Sequence, residues 1–371
     1  MSGLIIVGDS RQTIKQLDDK SVDCVVTSPP YYNLRDYLTG TWSGGDSNCK
    51  HLAPPRGGRN PETAGKQLTN EGTLNYQFQH KCETCGAIRE DYQMGLEQSP
   101  KEYVDNMVVL FKEIRIVLKN DAIIWIVIGD SYAGSGKGRN GDGIANQNPD
   151  CKQFTNEGSQ QGKILKSNLS GLKPKDLIGI PWMLAFALRD DGWYLRNDCI
   201  WHKPNGFPNS VKDRCVVDHE YIFMLSKSPK YYFDYKSIKV PVRSKPATKE
   251  RPRGTEPSQF RANLQGPQLA GRYSKDGKRS KRTVWSVNVK KEYRDAHFAT
   301  YPEDLVTPMV LAGSRKDGIV LDPFMGSGTT AVVAARNGRD FIGLELNKDY
   351  ALMAKKRIES QSLGPVEVID G

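Results

Sequence analysis

The chain has 371 residues, enough for one large domain or two smaller ones with a sizeable core. Its mean hydropathy is −0.58 and no apolar stretch approaches the roughly twenty residues of a membrane span, which favours a cytoplasmic protein without a membrane partner. We also find no signal-peptide pattern. The net charge of +10 is typical of polyanion binders, and seven unevenly spaced cysteines argue against a disulfide framework.

The first predicted elements are a strand, a short helix and a second strand. The first strand is the apolar run LIIVGD, and the second is VDCVVTSPP, which ends at two prolines. Because proline has no N–H for a sheet ladder, the chain must leave the sheet at Pro29 and Pro30. The sequence therefore predicts that this turn exposes the Ser28 hydroxyl and two aromatic rings, Tyr31 and Tyr32, at the carboxyl end of a strand.

Residues 38–92 are polar, rich in Gly, Pro and Asn, and predict an insertion held by a Cys/His cluster. Two of its cysteines have the Cys-x-x-Cys-Gly spacing of a zinc knuckle, and an earlier Cys-x-His would complete a tetrahedral site. His80 competes for the histidine position, and reduced surface cysteines without a metal are the alternative. The expected zinc ligands are Cys49, His51, Cys82 and Cys85.

A helix is predicted from Ser99, which is placed as N-cap with Pro100 at the first helical position and Glu102 closing a capping box. The apolar run AIIWIVIGDSY that follows is typical of a strand in the middle of a parallel sheet. Residues 133–171 have almost no apolar content and predict a long mobile loop. Residues at helical spacing predict the buried face of the helix: Tyr103, Met107, Leu110, Phe111, Ile114, Val117 and Leu118.

The second half of the chain alternates between ordered patterns and a basic segment. LIGIPWMLAFALRDDGWYLRNDCIWHKP predicts a helix and a strand, and HEYIFMLSKSPKYYFD predicts another strand with a hairpin. Residues 236–296 are strongly basic and poor in apolar side chains, which fits either a polyanion contact or a solvated flexible loop.

A glycine-rich turn follows the basic segment. VLDPFMGSGTTA places Gly326 and Gly328 between an apolar strand and an Ala-rich helix, where the backbone can approach a ligand closely. FIGLEL then ends at Glu345, an acid placed to accept hydrogen bonds from ribose hydroxyls. This pattern indicates a nucleotide or nucleoside cofactor, and a turn without a ligand is the alternative. Strands and helices alternate at both ends, which predicts an α/β fold with one doubly wound, mostly parallel sheet.

Two motifs together point to a family. TSPPYYNLRDY near the start and DPFMGSGTT near the end resemble the beta class of amino-methylating DNA methyltransferases, which use S-adenosylmethionine. IVGDS and HFATYPEDLV are similar to further segments of that class, so the resemblance covers most of the chain outside the insertion and the basic segment. It implies a Rossmann-like methyltransferase fold and double-stranded DNA as the partner.

The resemblance also implies a division of the chain. The catalytic half would comprise residues 1–37 and 93–235, interrupted by the probable zinc-binding insertion 38–92. Residues 236–296 would be the basic target-recognition segment, and residues 297–371 the half that binds S-adenosylmethionine.

The residue types of the Ser-Pro-Pro-Tyr motif suit this reaction. An exocyclic amino nitrogen is a poor nucleophile because its lone pair is delocalised into the ring. Acceptors for its two N–H groups, Ser28 Oγ and the Pro29 carbonyl, favour a pyramidal nitrogen, and Pro30 helps to fix the carbonyl direction. The base must leave the duplex, and Tyr31 offers a face for stacking. A plain Pro-Pro turn with core tyrosines is the alternative.

Cofactor roles are carried over from the family to matching positions. Asp9 would bind the adenine amino group and Glu345 the ribose hydroxyls, while Thr329 or Thr330 would bind the methionine carboxylate. The full set of expected cofactor-binding residues is Asp9, Asp322, Phe324, Gly326, Gly328, Thr329, Thr330 and Glu345.

The methylated base is predicted from the first motif position. Ser28 resembles the cytosine-N4 enzymes, whereas aspartate or asparagine is usual in adenine-N6 enzymes. Carbon-5 methylation is disfavoured because no Pro-Cys pair occurs. An adenine-N6 enzyme and a catalytically silent DNA-binding module are the alternatives, and the glycine turn alone also fits a nicotinamide dehydrogenase. A homodimer and a cognate restriction endonuclease are partners that the sequence leaves open.

Overall fold

The structure is a computed structural model. The expected mobile loop 133–171 lies outside the residues it describes, apart from Ala133, and so do His80 and residues 242–275 and 290–296 of the basic segment. The described residues are 3–32, 37, 39–51, 81–133, 172–173, 175–206, 211–241, 276–289 and 301–371.

Strands and helices alternate through most of the described chain. The strands are β1 (Gly3–Val7), β2 (Val22–Thr27), β3 (Thr41–Ser43), β4 (Ile88–Glu90), β5 (Leu118–Ile128), β6 (Tyr194–His202), β7 (His219–Ser226), β8 (Val240–Pro241), β9 (Lys278–Arg279), β10 (Val284–Ser286), β11 (Ile319–Asp322), β12 (Asp340–Glu345) and β13 (Val366–Asp370). The helices are α1 (Ser10–Thr13), α2 (Pro100–Val117), α3 (Ile180–Asp190), α4 (Glu303–Gly313), α5 (Thr329–Arg336) and α6 (Lys348–Glu359), with a 3₁₀ turn at Ile14–Gln16.

Nine strands form the central sheet, in the order β10–β6–β7–β5–β2–β11–β12–β1–β13. Only β7 is antiparallel to its neighbours within this sheet; every other adjacent pair is parallel. The amino-terminal strand β1 lies between β12 and β13, and β2 lies beside β11. The prediction of one mostly parallel, doubly wound sheet is therefore confirmed.

Helices cover both faces of the sheet. Apolar side chains of α2 and α3 pack in one core cluster, and those of α4, α5 and α6 pack in the other. This explains the uninterrupted apolar run in β5, where residues 122–128 are all buried. A strand with helices on both sides has no face for polar side chains.

Helix α2 begins as the sequence predicts. Pro100 is its first residue, and the hydroxyl of the N-cap Ser99 accepts the backbone N–H of Glu102 at 3.1 Å. The carboxylate of Glu102 accepts the N–H of Gln98 at 3.0 Å, one residue before the position that a capping box uses. The predicted apolar face of α2 is buried, and Leu118, the last residue of that pattern, begins β5.

The basic segment and the 38–92 insertion both contain short strands that the sequence did not predict. Within the basic segment, β10 joins the edge of the central sheet beside β6, and Trp285 is only 5% exposed. Its indole N–H donates to the Arg282 carbonyl at 2.6 Å. Three residues are too few to show a strand period among so many basic side chains. In the 38–92 insertion, β3 and β4 form an antiparallel hairpin.

The sheet order determines where a ligand can bind. The carboxyl ends of β1, β2, β11 and β12 meet at one edge, where open α/β sheets place their ligands. Within the described part of the chain, no helix is both long and apolar enough to span a bilayer.

Candidate functional site

A cleft opens at this edge of the sheet. It encloses about 980 Å³, including solvent at its mouth, and its walls come from the strand ends and from the segments that flank the hairpin of the insertion. The predicted site residues that line it are Asp9, Ser28, Pro30, Phe324, Gly326, Thr329 and Glu345. The predicted residues that do not line it are Pro29, Tyr31, Asp322, Gly328 and Thr330. The structure thus brings residues of the Ser-Pro-Pro turn and of the glycine-rich turn to one cleft.

Glycine is needed at the two positions of the glycine-rich turn for different structural reasons. Gly326 has φ +52°, and a Cβ added there would meet no atom within 4 Å, because it would point into open space. Gly328 has φ +80° and precedes α5; its added Cβ would lie 3.0 Å from the Cβ of Ala354. Gly326 therefore keeps the backbone accessible from the cleft, whereas Gly328 lets α5 approach α6.

Glu345 is the last residue of β12 and is only 9% exposed. Its Oε2 accepts the backbone N–H of Gly326 at 2.7 Å, and its Oε1 accepts that of Asn347 at 2.9 Å. Burial of the carboxyl group raises the pKa of Glu345 to about 7. The glycine-rich turn and this acid are therefore one hydrogen-bonded unit.

Asp322 lies beneath the cleft rather than on its surface, with 2% of the residue exposed. Its carboxylate accepts hydrogen bonds from the hydroxyls of Thr27 (2.7 Å), Thr330 (2.7 Å) and Tyr301 (2.9 Å), and from the N–H of Phe324 (3.1 Å). Burial raises the pKa of Asp322 above its ordinary value. These bonds tie the end of β2 to the end of β11, so Asp322 and Thr330 hold the two motifs in register.

The Ser-Pro-Pro turn is fixed from two sides. The hydroxyl of Tyr103, on α2, donates to the Pro30 carbonyl at 2.8 Å. The hydroxyl of Tyr31 donates to Oε2 of Glu220 at 2.5 Å, and burial together with Glu220 raises the pKa of Tyr31 well above its usual range. The predicted stacking of Tyr31 on a flipped base stays a prediction. The expected exposure of Tyr32 is wrong, because its ring is buried in the core with its centre 5.7 Å from that of Tyr103.

Asp9 follows β1 and occupies the cleft rim. Its carboxylate caps α1 by accepting the N–H of Arg11 at 3.0 Å, and it forms an ion pair with the guanidinium of Arg11 at 2.7 Å. A carboxylate has further lone pairs, so contact with an adenine amino group would be additional to this pair.

Sequence reasoning missed the residues that support the glycine turn from outside the motifs. Arg357, on α6, donates to the Ser327 carbonyl at 3.1 Å and to Thr329 Oγ1 at 3.0 Å, and it pairs with Glu303 at 3.0 Å. Its position in the run AKKRIE carries no signal that separates it from exposed helical cations. Tyr301 lines the cleft and lies in HFATYPEDLV, a segment that the resemblance had singled out.

The four predicted metal ligands converge in the hairpin. The Sγ atoms of Cys49 and Cys82 are 3.7 Å apart, and Cys85 Sγ lies 3.5 Å from His51 Nδ1. All four ligand atoms lie within 4.8 Å of one another. Two sulfurs that each lie roughly 2.3 Å from one tetrahedral zinc are roughly 3.8 Å apart, so the donor set and its spacing fit this ion.

The segments that lead into and out of the hairpin form one wall of the cleft. Residues on both sides of the hairpin are joined by hydrogen bonds: the N–H of Tyr37 donates to Gln93 Oε1 at 2.7 Å, and the Thr39 hydroxyl donates to Asp91 at 2.9 Å. The insertion is therefore part of the site and not an appendage. The cleft-lining residues of this wall are Tyr37, Thr39, Tyr92, Gln93 and Met94.

Comparison with known proteins identifies the family. The model of the N6_N4_Mtase family, described as DNA methylase, matches residues 22–356. The chain belongs to this DNA methylase family. Among its relatives, the Type II methyltransferase M.SmaI of Serratia marcescens is 38% identical over 95% of this chain and 90% of its own length. M.Cfr9I of Citrobacter freundii, also named a Type II methyltransferase, is 34% identical over 97% of this chain and 89% of its own length.

Solved structures show that the fold is shared as well. The cytosine-N4-specific PvuII DNA methyltransferase matches this DNA methylase with a TM-score of 0.53 at 15% identity, covering 100% of this chain and 96% of the other. The Rossmann-like methyltransferase fold expected from the motifs is therefore confirmed.

Proposed function

We propose that this DNA methylase transfers a methyl group from S-adenosylmethionine to the exocyclic N4 amino group of a flipped-out cytosine at a specific DNA sequence. The observation that carries this proposal is that Ser28 and Gly326, from motifs at opposite ends of the chain, line one cleft. One motif can receive the target amine and the other can hold the methyl donor.

The cleft fits the proposed cofactor by its donor set and by its open backbone. A Cβ at Gly326 would fill the space above the turn, as expected where a ligand approaches the main chain. The buried carboxylate of Glu345 suits the ribose hydroxyls, Thr329 the methionine carboxylate, and Asp9 the adenine amino group. Phe324 and Tyr350 add apolar surface to the same cleft. When bound, S-adenosylmethionine supplies an electrophilic methyl group on a sulfonium.

The protein's own contribution to the reaction is hydrogen-bond acceptance in a fixed geometry. The Ser28 hydroxyl oxygen and the Pro29 carbonyl would accept the two N–H groups of the target amine and so favour a pyramidal nitrogen. Pro30 and the hydrogen bond from Tyr103 to its carbonyl fix the turn, so the acceptors need no reorganisation during transfer.

Transfer of tritium from labelled S-adenosylmethionine to duplex DNA tests the proposal. Nucleoside mass spectrometry of the product then identifies the base: N4-methylcytosine supports the proposal, and N6-methyladenine would assign the alternative activity of the same fold. No incorporation into DNA of varied sequence, together with no cofactor binding, would refute both.

Double-stranded DNA as substrate is supported by the net charge of +10 and by the basic target-recognition segment, residues 236–296. Lys and Arg side chains there would contact phosphates, and a few other side chains would read bases. Because relatives are named Type II methyltransferases, we further propose that a cognate restriction endonuclease accompanies this enzyme. Methylation-sensitive sequencing of DNA from expressing cells would report the base and its sequence context together.

We expect cofactor binding to tighten as the pH rises from about 6 to about 8, since the pKa of Glu345 is about 7 and ribose hydroxyls donate more strongly to an ionised acceptor. Below that pKa the gain approaches about tenfold per pH unit. Titration calorimetry at several pH values measures it. Glu345→Gln should flatten the profile, and an unchanged profile in that variant would contradict the assignment.

The same carboxyl group affects stability in the opposite direction. Its pKa in the folded state, about 7, lies above its ordinary value of 4.5, so the folded chain binds more protons between these two pH values. The free energy of unfolding should therefore fall as the pH rises through this window.

We propose that the Cys/His cluster binds one structural zinc ion. Elemental analysis of protein purified without an affinity tag should find about one equivalent of zinc. Cys82→Ala should lose the metal, because three ligands remain, whereas Cys215→Ala, at an exposed free cysteine outside the cluster, should retain it. Metal-free protein with the full melting temperature of the metal-bound form would refute a structural zinc.

A further inference from the structure

We propose that Arg357 is a positioning residue for the methyl donor and acts through the hydroxyl of Thr329. By donating to the Thr329 oxygen, the guanidinium of Arg357 leaves the hydroxyl proton for the carboxylate of S-adenosylmethionine. This role rests on the proposed function. It makes a residue outside both motifs a determinant of how tightly the carboxylate end of the cofactor is held.

Hydrogen bonds join Arg357, on α6, to the glycine-rich turn, to α5 and to α4. Its Nη1 donates to the Ser327 carbonyl at 3.1 Å and to Thr329 Oγ1 at 3.0 Å, with a longer contact of 3.4 Å to Ser327 Oγ. Its Nη2 donates to Oε1 of Glu303 at 3.0 Å. Only 11% of the Arg357 side chain is exposed. The guanidinium is therefore a fixed support of the turn and not a solvated surface cation.

Close packing of α6 against the turn explains why Arg357 reaches it. Gly328 has no side chain, and a Cβ there would lie 3.0 Å from the Cβ of Ala354. Ala354 and Arg357 are three residues apart, so they lie on the same face of α6. Glu303, the first residue of α4, is held by a second cation, since its Oε2 accepts from Arg336. These side chains link α4, α5 and α6 and fix the direction of the Arg357 guanidinium.

The hydrogen-bonding capacity of each group determines what the Thr329 hydroxyl offers to a ligand. A guanidinium has only donors, so the Thr329 oxygen must accept from Arg357. The single proton of this hydroxyl is then kept for another partner. Thr329 lines the cleft, and a carboxylate has only acceptors. A cofactor carboxylate at this position would therefore receive the proton that Arg357 leaves available.

Arg357→Met should weaken the binding of S-adenosylmethionine by roughly tenfold, the scale of one hydrogen bond to a charged group. Without the guanidinium the Thr329 hydroxyl is free to rotate, and its proton is no longer directed to the carboxylate. Decarboxylated S-adenosylmethionine is the decisive probe, because it keeps the adenosine, the sulfonium, the methyl group and the amino group and lacks only the carboxylate. Its affinity should be the same for Arg357→Met as for the wild type.

Thr329→Val provides the comparison. It removes the hydroxyl and should weaken the binding of S-adenosylmethionine at least as much as Arg357→Met does, by roughly ten- to a hundredfold. The decarboxylated cofactor should again bind as it does to the wild type. The double variant Arg357→Met with Thr329→Val should bind S-adenosylmethionine like Thr329→Val alone, because Arg357 then has no hydroxyl to orient.

Titration calorimetry of the wild type and each variant with both cofactors tests the proposal, with thermal melting on each protein. Lys355→Met is the matched control, since it removes the cation of an exposed Lys–Glu pair on α6 and should leave both affinities unchanged. If Arg357→Met does not melt as a folded protein, Arg357→Lys takes its place, with a smaller loss that is again confined to S-adenosylmethionine.

Three outcomes would overturn the proposal. Equal losses for both cofactors in the Arg357 variant would show that the guanidinium merely supports the turn. Losses that multiply in the double variant would show that Arg357 acts on the cofactor without Thr329. Equal affinity of the wild type for both cofactors would show that the carboxylate is not held at all. A wild type that binds neither cofactor and methylates no DNA would refute the proposed function instead.

Discussion

Replacing Ser28 with alanine is expected to lower kcat for methyl transfer by roughly 10²- to 10³-fold, the range seen when one preorganised transition-state hydrogen bond is removed. Ser28 lines the same cleft as the glycine-rich turn, and in the proposed mechanism alanine would leave one N–H of the target amine without its acceptor. Affinity for S-adenosylmethionine should stay at the wild-type value, because the proposed cofactor contacts come from β1, β11, β12 and α5. Single-turnover kinetics and titration calorimetry measure the two quantities separately.

Ser21→Ala is the control for this variant. Ser21 directly precedes β2, at the end of the strand opposite Ser28, and its hydroxyl donates to the Asp18 carbonyl at 2.7 Å on the surface. Removal of the Ser21 hydroxyl should leave turnover unchanged. A Ser28→Ala enzyme that turns over like Ser21→Ala would contradict the catalytic role of the hydroxyl.

Gly326→Val is expected to abolish measurable binding of S-adenosylmethionine. The residue has φ +52°, a conformation that a β-branched side chain adopts only with strain, and the new side chain would project into the open cleft. The substitution also puts at risk the 2.7 Å hydrogen bond by which the N–H of Gly326 holds the Glu345 carboxylate. Calorimetric titration with the cofactor measures the loss, and thermal melting establishes that the variant is folded.

Gly338→Val is the control for this variant, because it introduces similar backbone strain without placing a side chain in the cleft. Gly338 follows α5 with φ +73°, and an added Cβ there would only touch the Lys316 side chain, at 3.7 Å. It should lower stability by about 1–2 kcal/mol and still bind the cofactor. Equal loss of binding in Gly338→Val and Gly326→Val, or in Ser28→Ala and Gly326→Val, would contradict the division of work between the two turns.

The sequence predicted those elements that depend on interactions between residues close together in the chain. The N-cap and apolar period of α2, the proline-terminated strand before Ser28 and the glycine turn before α5 all involve groups close in sequence. Sequence reasoning therefore located Ser28, Gly326 and Glu345, and the structure gathers these three around one cleft.

Contacts that depend on strand order were not predictable in the same way. Glu220 lies 189 residues from Tyr31 and reaches it only because β7 inserts as an antiparallel strand beside β5. In the sequence HEYIF, the acid looks like the polar start of a strand. Similarly, the resemblance suggested direct cofactor contact for Asp322, whose carboxylate already accepts four hydrogen bonds beneath the cleft. The contacts of Arg357 were not predictable either, because they form only when α6 packs against α5.

The interleaving of the two chain ends has a consequence for folding. The Thr27 hydroxyl and the Asp322 carboxylate are hydrogen-bonded across 295 residues of sequence, and β1 pairs with β12 on one side and β13 on the other. Such non-local pairing forms slowly, because the loop-closure entropy must be overcome before the contacts stabilise the product. Neither end of the chain alone can assemble the cleft floor. Ligand affinity in a growing or cleaved chain would thus appear in one step, when the last central strand docks, and cofactor binding would report completion of the whole sheet.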